Sequence, residues 1–276
     1  MRVPALLADA VARLDAAGVA SSRVDSELLL AHCAGVSRSR LITLDEVPPD
    51  IVSRFAALLE RRAGREPLQH LTGTAPFRNL ELAVGPGVFV PRPETELLVD
   101  AVLPVLAGLS APLVVDLCSG SGALALAVAA ELPGSRVIAV ERSDRALNWL
   151  RRNTAGTGVE VLAGDVTSPD LLPAERGRVD AVLSNPPYVP AATPVDPEVR
   201  ADPDEAVFAG SDGLRLIPAV LERARELLRP GGVLALEHDD THAESVPALL
   251  AADCWDEVRE HADLSGRPRF VTARRL

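Results

Sequence analysis

The stretch Val114-Val115-Asp116-Leu117-Cys118-Ser119-Gly120-Ser121-Gly122 decides the fold. It opens on an aliphatic run interrupted by one acid, the pattern of a strand covered on both faces. Gly120 and Gly122 then let the backbone turn tightly and approach a ligand closely. A helix follows, and its first turn presents N–H groups with no partner inside the helix. The next apolar run, Val137–Val140, ends on Glu141, where a carboxylate can accept both hydroxyls of a ribose. A nucleotide-like cofactor is the expectation. The spacing Gly120-x-Gly122-x-x-Ala125 also fits a loose dinucleotide fingerprint, so an NAD-dependent oxidoreductase stays open at this point, as does a tight turn that holds nothing.

Outward from this loop, strand-like and helix-like segments alternate. Apolar runs occur at Leu113–Leu117, Val137–Val140, Val159–Leu162, Val179–Leu183 and Val233–Leu236. Amphipathic stretches at Ala123–Glu131, Asp144–Arg152 and Gly213–Leu228 separate several of them. Alternation of this kind predicts a parallel, doubly wound α/β sheet from about residue 94 onward. Upstream, Leu6, Leu7, Ala10, Val11 and Leu14 recur at helical spacing, and a break follows at Gly18–Ser22. Asp25 is placed to cap a second helix ending near Gly35, and Pro48-Pro49-Asp50 precedes a third. Between the two regions, residues 74–93 read as two short strands reversing at Gly85-Pro86-Gly87. The expected division is a helical domain over 1–73, a hairpin linker over 74–93 and a catalytic domain over 94–276.

Composition narrows the chemistry. The 276 residues are 47% hydrophobic and 24% charged, an ordinary globular balance. All 28 basic residues are Arg, which removes both a P-loop lysine and a Schiff-base lysine. The net charge of −11 argues against broad attraction to nucleic acid phosphates. The three cysteines, Cys33, Cys118 and Cys254, show no metal-site spacing, and no metal is expected. With no apolar run of about 20 residues and no leader pattern, a cytoplasmic protein without membrane contact is the expectation.

The run Val179–Leu183 leads into Ser184-Asn185-Pro186-Pro187-Tyr188, which points to the reaction. An amide or aromatic amine nitrogen is a poor nucleophile because its lone pair is delocalised. It must be held so that the lone pair faces the reacting carbon. The Asn185 side-chain oxygen can accept one of its N–H bonds and the Pro186 carbonyl the other. Pro186 and Pro187 stiffen the loop, and the Tyr188 ring can lie flat on a planar group.

A strand-end Asn-Pro-Pro-Tyr together with the glycine loop resembles the amino-methyltransferases of adenine, cytosine, guanine or glutamine nitrogens. Further stretches narrow the resemblance: Glu66-Pro67-Leu68-Gln69-His70-Leu71-Thr72-Gly73, Val90-Pro91-Arg92-Pro93-Glu94-Thr95-Glu96, Gly210-Ser211-Asp212-Gly213-Leu214, Pro230-Gly231-Gly232, and Asp263 through Phe270. With these, nearly the whole chain resembles the release-factor glutamine methyltransferases of the PrmC/HemK type. The resemblance implies a Rossmann-like, seven-stranded S-adenosylmethionine methyltransferase domain behind a helical domain that grips the substrate. It implies N5-methylation of the glutamine in the Gly-Gly-Gln motif of peptide chain release factors, with S-adenosyl-L-methionine as cofactor. It places Cys118, Ser119, Gly120, Ser121, Gly122, Glu141, Asp165, Val166 and Asn185 around the cofactor. It makes Asn185, Pro186, Pro187 and Tyr188 the substrate site, with Asn185, Pro186 and Tyr188 catalytic. The alternative is a nucleic acid amino-methyltransferase acting on an exocyclic amine.

The chain departs from the family pattern at Cys118, where the loop usually begins with Gly, and at Glu141, where Asp is common. Val166 stands where a bulky aromatic often does, and His238-Asp239-Asp240-Thr241-His242 replaces a usual Gly and Gln. This last change has no physical account from sequence. The two histidines follow a strand, so they are expected in a loop and not as helical metal ligands. Arg92 is expected either to organise the hairpin through Glu94 or Glu96 or to contact a ligand. Arg61-Arg62-Ala63-Gly64-Arg65 reads as a solvated helix end.

Overall fold

The computed structural model describes residues 1–251 and 254–276. They form two compact units. One comprises Met1–Thr74 with Val195–Ala201, the other Ala75–Pro194 with Asp202–Leu276.

The first unit is helical: α1 (Val3–Ala16), α2 (Ser22–Ala34), α3 (Pro49–Ala63) and the short α4 (Leu68–Thr72). Leu14, Leu29, Leu30, Phe55 and Leu59 fill the space between them. α1 and α3 begin with Pro in the first turn, where its missing N–H costs nothing. α2 ends on Gly35 in the left-handed region.

Asp25 does not cap α2. The helix begins three residues earlier at Ser22, and Asp25 is buried inside its first turn. There it accepts hydrogen bonds from Ser21 Oγ at 2.9 Å and Arg62 Nε at 2.7 Å. Arg62 is likewise no solvated helix end, being 5% exposed and bonded also to Glu198 at 2.8 Å. Arg65 makes a forked pair with the same Glu198 at 2.7 Å to each oxygen. Sequence distance hid these partners, which lie 37 and 133 residues apart.

Desolvation raises the Glu198 pKa, but hydrogen bonds from Arg65 and Arg62 outweigh it and bring it down to about 2. A depressed carboxylate contributes stability above its ordinary range and loses it as pH falls toward the folded value. Replacing Arg62 with Met leaves the buried Asp25 carboxylate without its charged partner and Glu198 with Arg65 alone, and is expected to cost about 3–5 kcal/mol. Acid unfolding of this unit should then begin at higher pH. Unchanged melting of Arg62→Met by circular dichroism would contradict the assignment.

The second unit opens with a hairpin, β1 (Thr74–Phe77) and β2 (Leu80–Ala83). Its reversal is at Arg78-Asn79 and not at Gly85-Pro86-Gly87. Arg78 takes a positive φ of 51°. Its guanidinium is held by Glu131 and by Asp100, the latter at 2.8 Å. The glycines serve a different need: a Cβ on Gly85 would lie 2.7 Å from the Trp149 ring. Val88 and Val90 are buried but form no strand, and the Val90 N–H donates to Asp202 Oδ1 at 3.1 Å.

The elements that follow are α5 (Glu96–Leu106), β3 (Leu113–Leu117), α6 (Ala123–Glu131), β4 (Arg136–Glu141), α7 (Asp144–Thr154), β5 (Glu160–Ala163), β6 (Val179–Ser184), α8 (Asp204–Val207), α9 (Ile217–Leu227), β7 (Leu228–Glu237), α10 (Ser245–Leu249), β8 (Trp255–Ala262) and β9 (Pro268–Arg275). Seven strands form one sheet in the order β5-β4-β3-β6-β7-β9-β8. The first five are parallel, and β9 and β8 pair antiparallel. Apolar clusters cover both faces, one including Leu98, Val102 and Leu124, the other Ile217, Val220 and Ala224. The α/β fold and its seven strands agree with the expectation. β8 and β9 could not be placed from periodicity because they carry charges on their solvent side and no unbroken apolar run.

Strand order reverses between β3 and β6, and the carboxyl ends of the five parallel strands share one edge. The register sets Leu117 beside Ser184, Glu141 beside Ala163, and Ser184 beside Leu236. Open α/β sheets bind ligands at such a reversal. No helix among the described residues is long and apolar enough to cross a membrane.

Candidate active site

Cys118–Gly122 leaves β3 in a chain of left-handed residues: Cys118 at φ 63°, Gly120 at 55° and Gly122 at 88°. The loop is tied on three sides. Ser119 N–H donates to Val140 O at 2.9 Å, and Gly120 N–H donates to Glu141 Oε2 at 2.9 Å. Asn153 of α7 donates to Ser121 O at 2.9 Å and to Ala83 O at 3.0 Å, which joins the hairpin to the loop. Gly122 is required for space, since a Cβ there would lie 2.6 Å from Leu150.

The left-handed φ at 118 explains why a glycine suits this position. An L side chain there costs about 1–2 kcal/mol, against which glycine's greater unfolded-state entropy offsets about 0.5–1 kcal/mol. Cys118→Gly is therefore expected to raise the melting temperature by about 1–4 °C; a lower melting temperature would contradict this reading. Burial pushes the Cys118 thiol up to about 12, with Glu141 and Asp116 adding to the effect. It is a filler and not a nucleophile.

Glu141 ends β4 and accepts from the N–H groups of Gly120, Arg142 and Ser143. Three of a carboxylate's roughly four lone-pair sites are then used, and the spare capacity is on Oε2. Asp165, just past β5, accepts from Thr167 N at 2.8 Å, Thr167 Oγ1 at 2.7 Å and Arg142 Nη1 at 3.3 Å. Desolvation raises its pKa, but these bonds bring it below the usual value. Val166 is buried in one apolar cluster with Val140 and Leu171. Asp116 lies under the loop, where Ala125 N–H donates to Oδ2 at 3.1 Å while Oδ1 is buried without a partner. Burial raises Asp116 to about 7.

Asn185–Tyr188 leaves β6 next to this loop, with Ser184 Oγ donating to Leu117 O at 2.7 Å. Pro186 and Pro187 are buried, while Asn185 and Tyr188 are half-buried. Asn185 Nδ2 donates to Thr95 Oγ1 at 3.1 Å, and the Tyr188 hydroxyl donates to Glu237 Oε1 at 2.8 Å. Beyond the loop, Val189 bonds in both directions, its N–H to Val207 O and its carbonyl from Ala209 N–H, each at 2.9 Å. Gly213 comes so close that a Cβ on it would lie 2.2 Å from Tyr188 O.

Over 269 residues the chain is 52% identical to the release factor glutamine methyltransferase of Mycolicibacterium smegmatis, covering 97% of this chain and 95% of that one. The chain belongs to the release factor glutamine methyltransferase family. The Streptomyces coelicolor enzyme of the same name is 48% identical over 98% of this chain and 96% of its own. That of Deinococcus radiodurans is 42% identical over 100% and 99%. Residues 5–73 match the PrmC N-terminal domain and residues 80–198 the Methyltransferase small domain. Among solved structures, a methyltransferase from Pyrococcus furiosus has a TM-score of 0.50 at 17% identity, covering 81% of this chain and 98% of that one. The hMettl16 catalytic domain has a TM-score of 0.55 at 16% identity, over 70% and 75%. These two show the shared fold. The nucleic acid alternative is not favoured within this family.

Against this family background the remaining side chains find partners that spacing could not show. Arg92 pairs with neither Glu94 nor Glu96: its Nη2 donates to Asp202 Oδ2 at 2.6 Å, and its guanidinium lies over the Phe89 ring. Desolvation raises Asp202 to about 6 even so. His238 is fully buried after β7, with Nδ1 donating to Asp239 O and Nε2 2.9 Å from Glu260 Oε2. His242 Nε2 donates to Asp212 O at 2.8 Å. The 238–242 segment thus ties β7 to β8 and to the Gly210–Leu214 loop.

Thr95 and Glu237 are the two site residues that sequence reading passed over. Thr95 was visible only as part of a matching motif. Glu237 carries the same signal as Glu141, an acid at the carboxyl end of a parallel strand.

Proposed function

We propose that this chain methylates the N5 amide nitrogen of the glutamine in the Gly-Gly-Gln motif of peptide chain release factors, with S-adenosyl-L-methionine as methyl donor. The observation that carries the reading is the Asn185 side chain. Its NH2 is occupied by Thr95, so its carbonyl oxygen is turned to accept an N–H from a bound amide. The names of the full-length relatives supply the substrate.

The residues fit the cofactor. The loop Cys118, Ser119, Gly120, Ser121 and Gly122 makes a backbone cradle, and a Cβ on Gly120 would meet only open space. Glu141 has acceptor capacity left for a nucleoside hydroxyl, Asp165 offers a second carboxylate, and Val166 an apolar floor. When bound, the cofactor supplies a methyl group on a sulfonium, a good leaving group.

The chain's own part is orientation. The glutamine amide gives one N–H to Asn185 Oδ1 and the other to the Pro186 carbonyl, which Pro187 holds rigid. The Tyr188 ring, tethered at its hydroxyl by Glu237, packs on the amide plane. The nitrogen lone pair is thereby aimed along the axis of transfer, and both hydrogen bonds strengthen as the nitrogen gains positive charge. The spare proton leaves to water. The helical residues 1–73 grip the release factor, with residues 74–93, which hold the β1–β2 hairpin, leading into the catalytic residues 94–276. No direct nucleic acid contact is required, and the reaction is cytoplasmic.

Calorimetric titration tests the cofactor assignment: saturable binding of S-adenosylmethionine with no binding of NADH is expected. The reverse result would overturn the proposal.

A further inference from the structure

We infer that Asn153 is a positioning residue that sets the S-adenosylmethionine cradle and couples it to the β1–β2 hairpin; this rests on the reading that Cys118–Gly122 receives that cofactor. The need for such a residue follows from the composition of the loop. Gly120 and Gly122 both hold positive φ, and glycine populates either sign of φ about equally. The peptide between Ser121 and Gly122 can therefore turn over at little conformational cost unless other groups hold it. Its N–H donates to Ser119 O at 2.8 Å. Its carbonyl oxygen accepts from Asn153 Nδ2 at 2.9 Å, and that bond comes from outside the loop.

Asn153 stands in the last turn of α7, and the packing of this helix brings it there. Leu150, three residues earlier, lies where a side chain on Gly122 would go. Trp149, four residues earlier, lies where a side chain on Gly85 would go, and Asn153 meets nearby Ala83. The carboxamide is used completely. Oδ1 accepts from the Ala83 N–H at 2.8 Å, and Nδ2 donates to Ala83 O at 3.0 Å and to Ser121 O at 2.9 Å. The opposite orientation would set the amide oxygen against two carbonyl oxygens, so only one orientation is satisfied. Ala83 ends β2, and the carboxamide pairs with its N–H and its carbonyl as a neighbouring strand would.

The cradle depends on which of its backbone groups stay open. The N–H groups of Ser119, Gly120 and Gly122 are spent on Val140 O, Glu141 Oε2 and Ser119 O. Those of Ser121 and Ala123 have no partner among the described residues and are left for the oxygens of a ligand. Without Asn153 the Ser121 carbonyl is free to swing toward the cradle and repel those same oxygens. The hairpin would lose its hold on the loop in the same step.

The test is calorimetric titration of S-adenosylmethionine into the parent, Asn153→Asp and Asn153→Ala, well below their melting temperatures. Asn153→Asp keeps the shape and the bond from Ala83 N–H but sets a carboxylate oxygen against Ser121 O and Ala83 O. Its affinity should weaken about 10- to 100-fold, and that of Asn153→Ala about 10-fold. In steady-state kinetics the KM for S-adenosylmethionine should rise in step, with the KM for a purified release factor within about 3-fold of the parent. Equal rises in both KM values would mark a general loss of structure and overturn the inference. So would parent-like cofactor affinity in both variants. Hydrogen exchange reads the coupling without any variant: S-adenosylmethionine should slow exchange at the Ala83 N–H of the parent, and no slowing there overturns the coupling. A parent that binds no S-adenosylmethionine overturns instead the reading of the cofactor site.

Discussion

Replacing Asn185 with Ala is expected to lower turnover about 100- to 1,000-fold while S-adenosylmethionine affinity stays within a few-fold. In the proposed mechanism the Asn185 carboxamide oxygen accepts from the substrate amide, since its nitrogen is already engaged by Thr95. Its loss removes neither the glycine loop nor Glu141, which are held by their own backbone bonds. The substrate nitrogen would still reach the site but without a fixed lone-pair direction. Single-turnover kinetics with saturating release factor separates this from weak binding. Turnover within about 3-fold of the parent would remove Asn185 from the mechanism.

Gly213→Ala should be nearly as damaging, although residue 213 lies outside the Asn185–Tyr188 motif. Gly213 has φ 77°, and its missing Cβ would sit 2.2 Å from the Tyr188 carbonyl oxygen and 2.8 Å from His242 Cε1. Neither neighbour is free to yield: the loop after Tyr188 is bonded to Val207 and Ala209, and His242 is bonded to Asp212. The strained φ costs about 1–2 kcal/mol and the overpacking about 1–3 kcal/mol. A drop in melting temperature of about 4–15 °C follows, with turnover lost in the fraction that stays folded because Tyr188 is displaced. Gly156→Ala is the control: Gly156 has φ 78° but open space where a Cβ would go, so it should show the conformational cost alone. Equal melting temperatures for the two variants would contradict the steric argument.

The catalytic fold was legible because parallel strands buried on both faces write themselves as short apolar runs. Leu113–Leu117, Val137–Val140 and Val179–Leu183 were readable from single-sequence pattern, and all lie in the central sheet. The glycine loop and Asn185–Tyr188 were legible for a related reason. Both carry unusual residue types in fixed order, and both follow a strand directly. The antiparallel pair β8 and β9 was not, since a strand with one wet face and several arginines resembles a loop. The hairpin turn was misplaced because glycine marks both reversals and close approaches, and Gly85 is an approach to Trp149. The partners Arg62–Glu198, Arg92–Asp202 and Tyr188–Glu237 lay beyond reach for a more basic reason. Ion pairs and hydrogen bonds between residues 49 to 136 positions apart leave no periodic trace in a single chain.

The central claim is tested most directly by transfer of a labelled methyl group from S-adenosylmethionine to a purified bacterial release factor. A second sample should carry a replaced glutamine in its Gly-Gly-Gln motif. Labelling of the intact factor and none of the substituted one is the predicted result, and it establishes substrate and site together. No labelling of either factor by folded, cofactor-binding protein, with label appearing in DNA or ribosomal RNA instead, would contradict it.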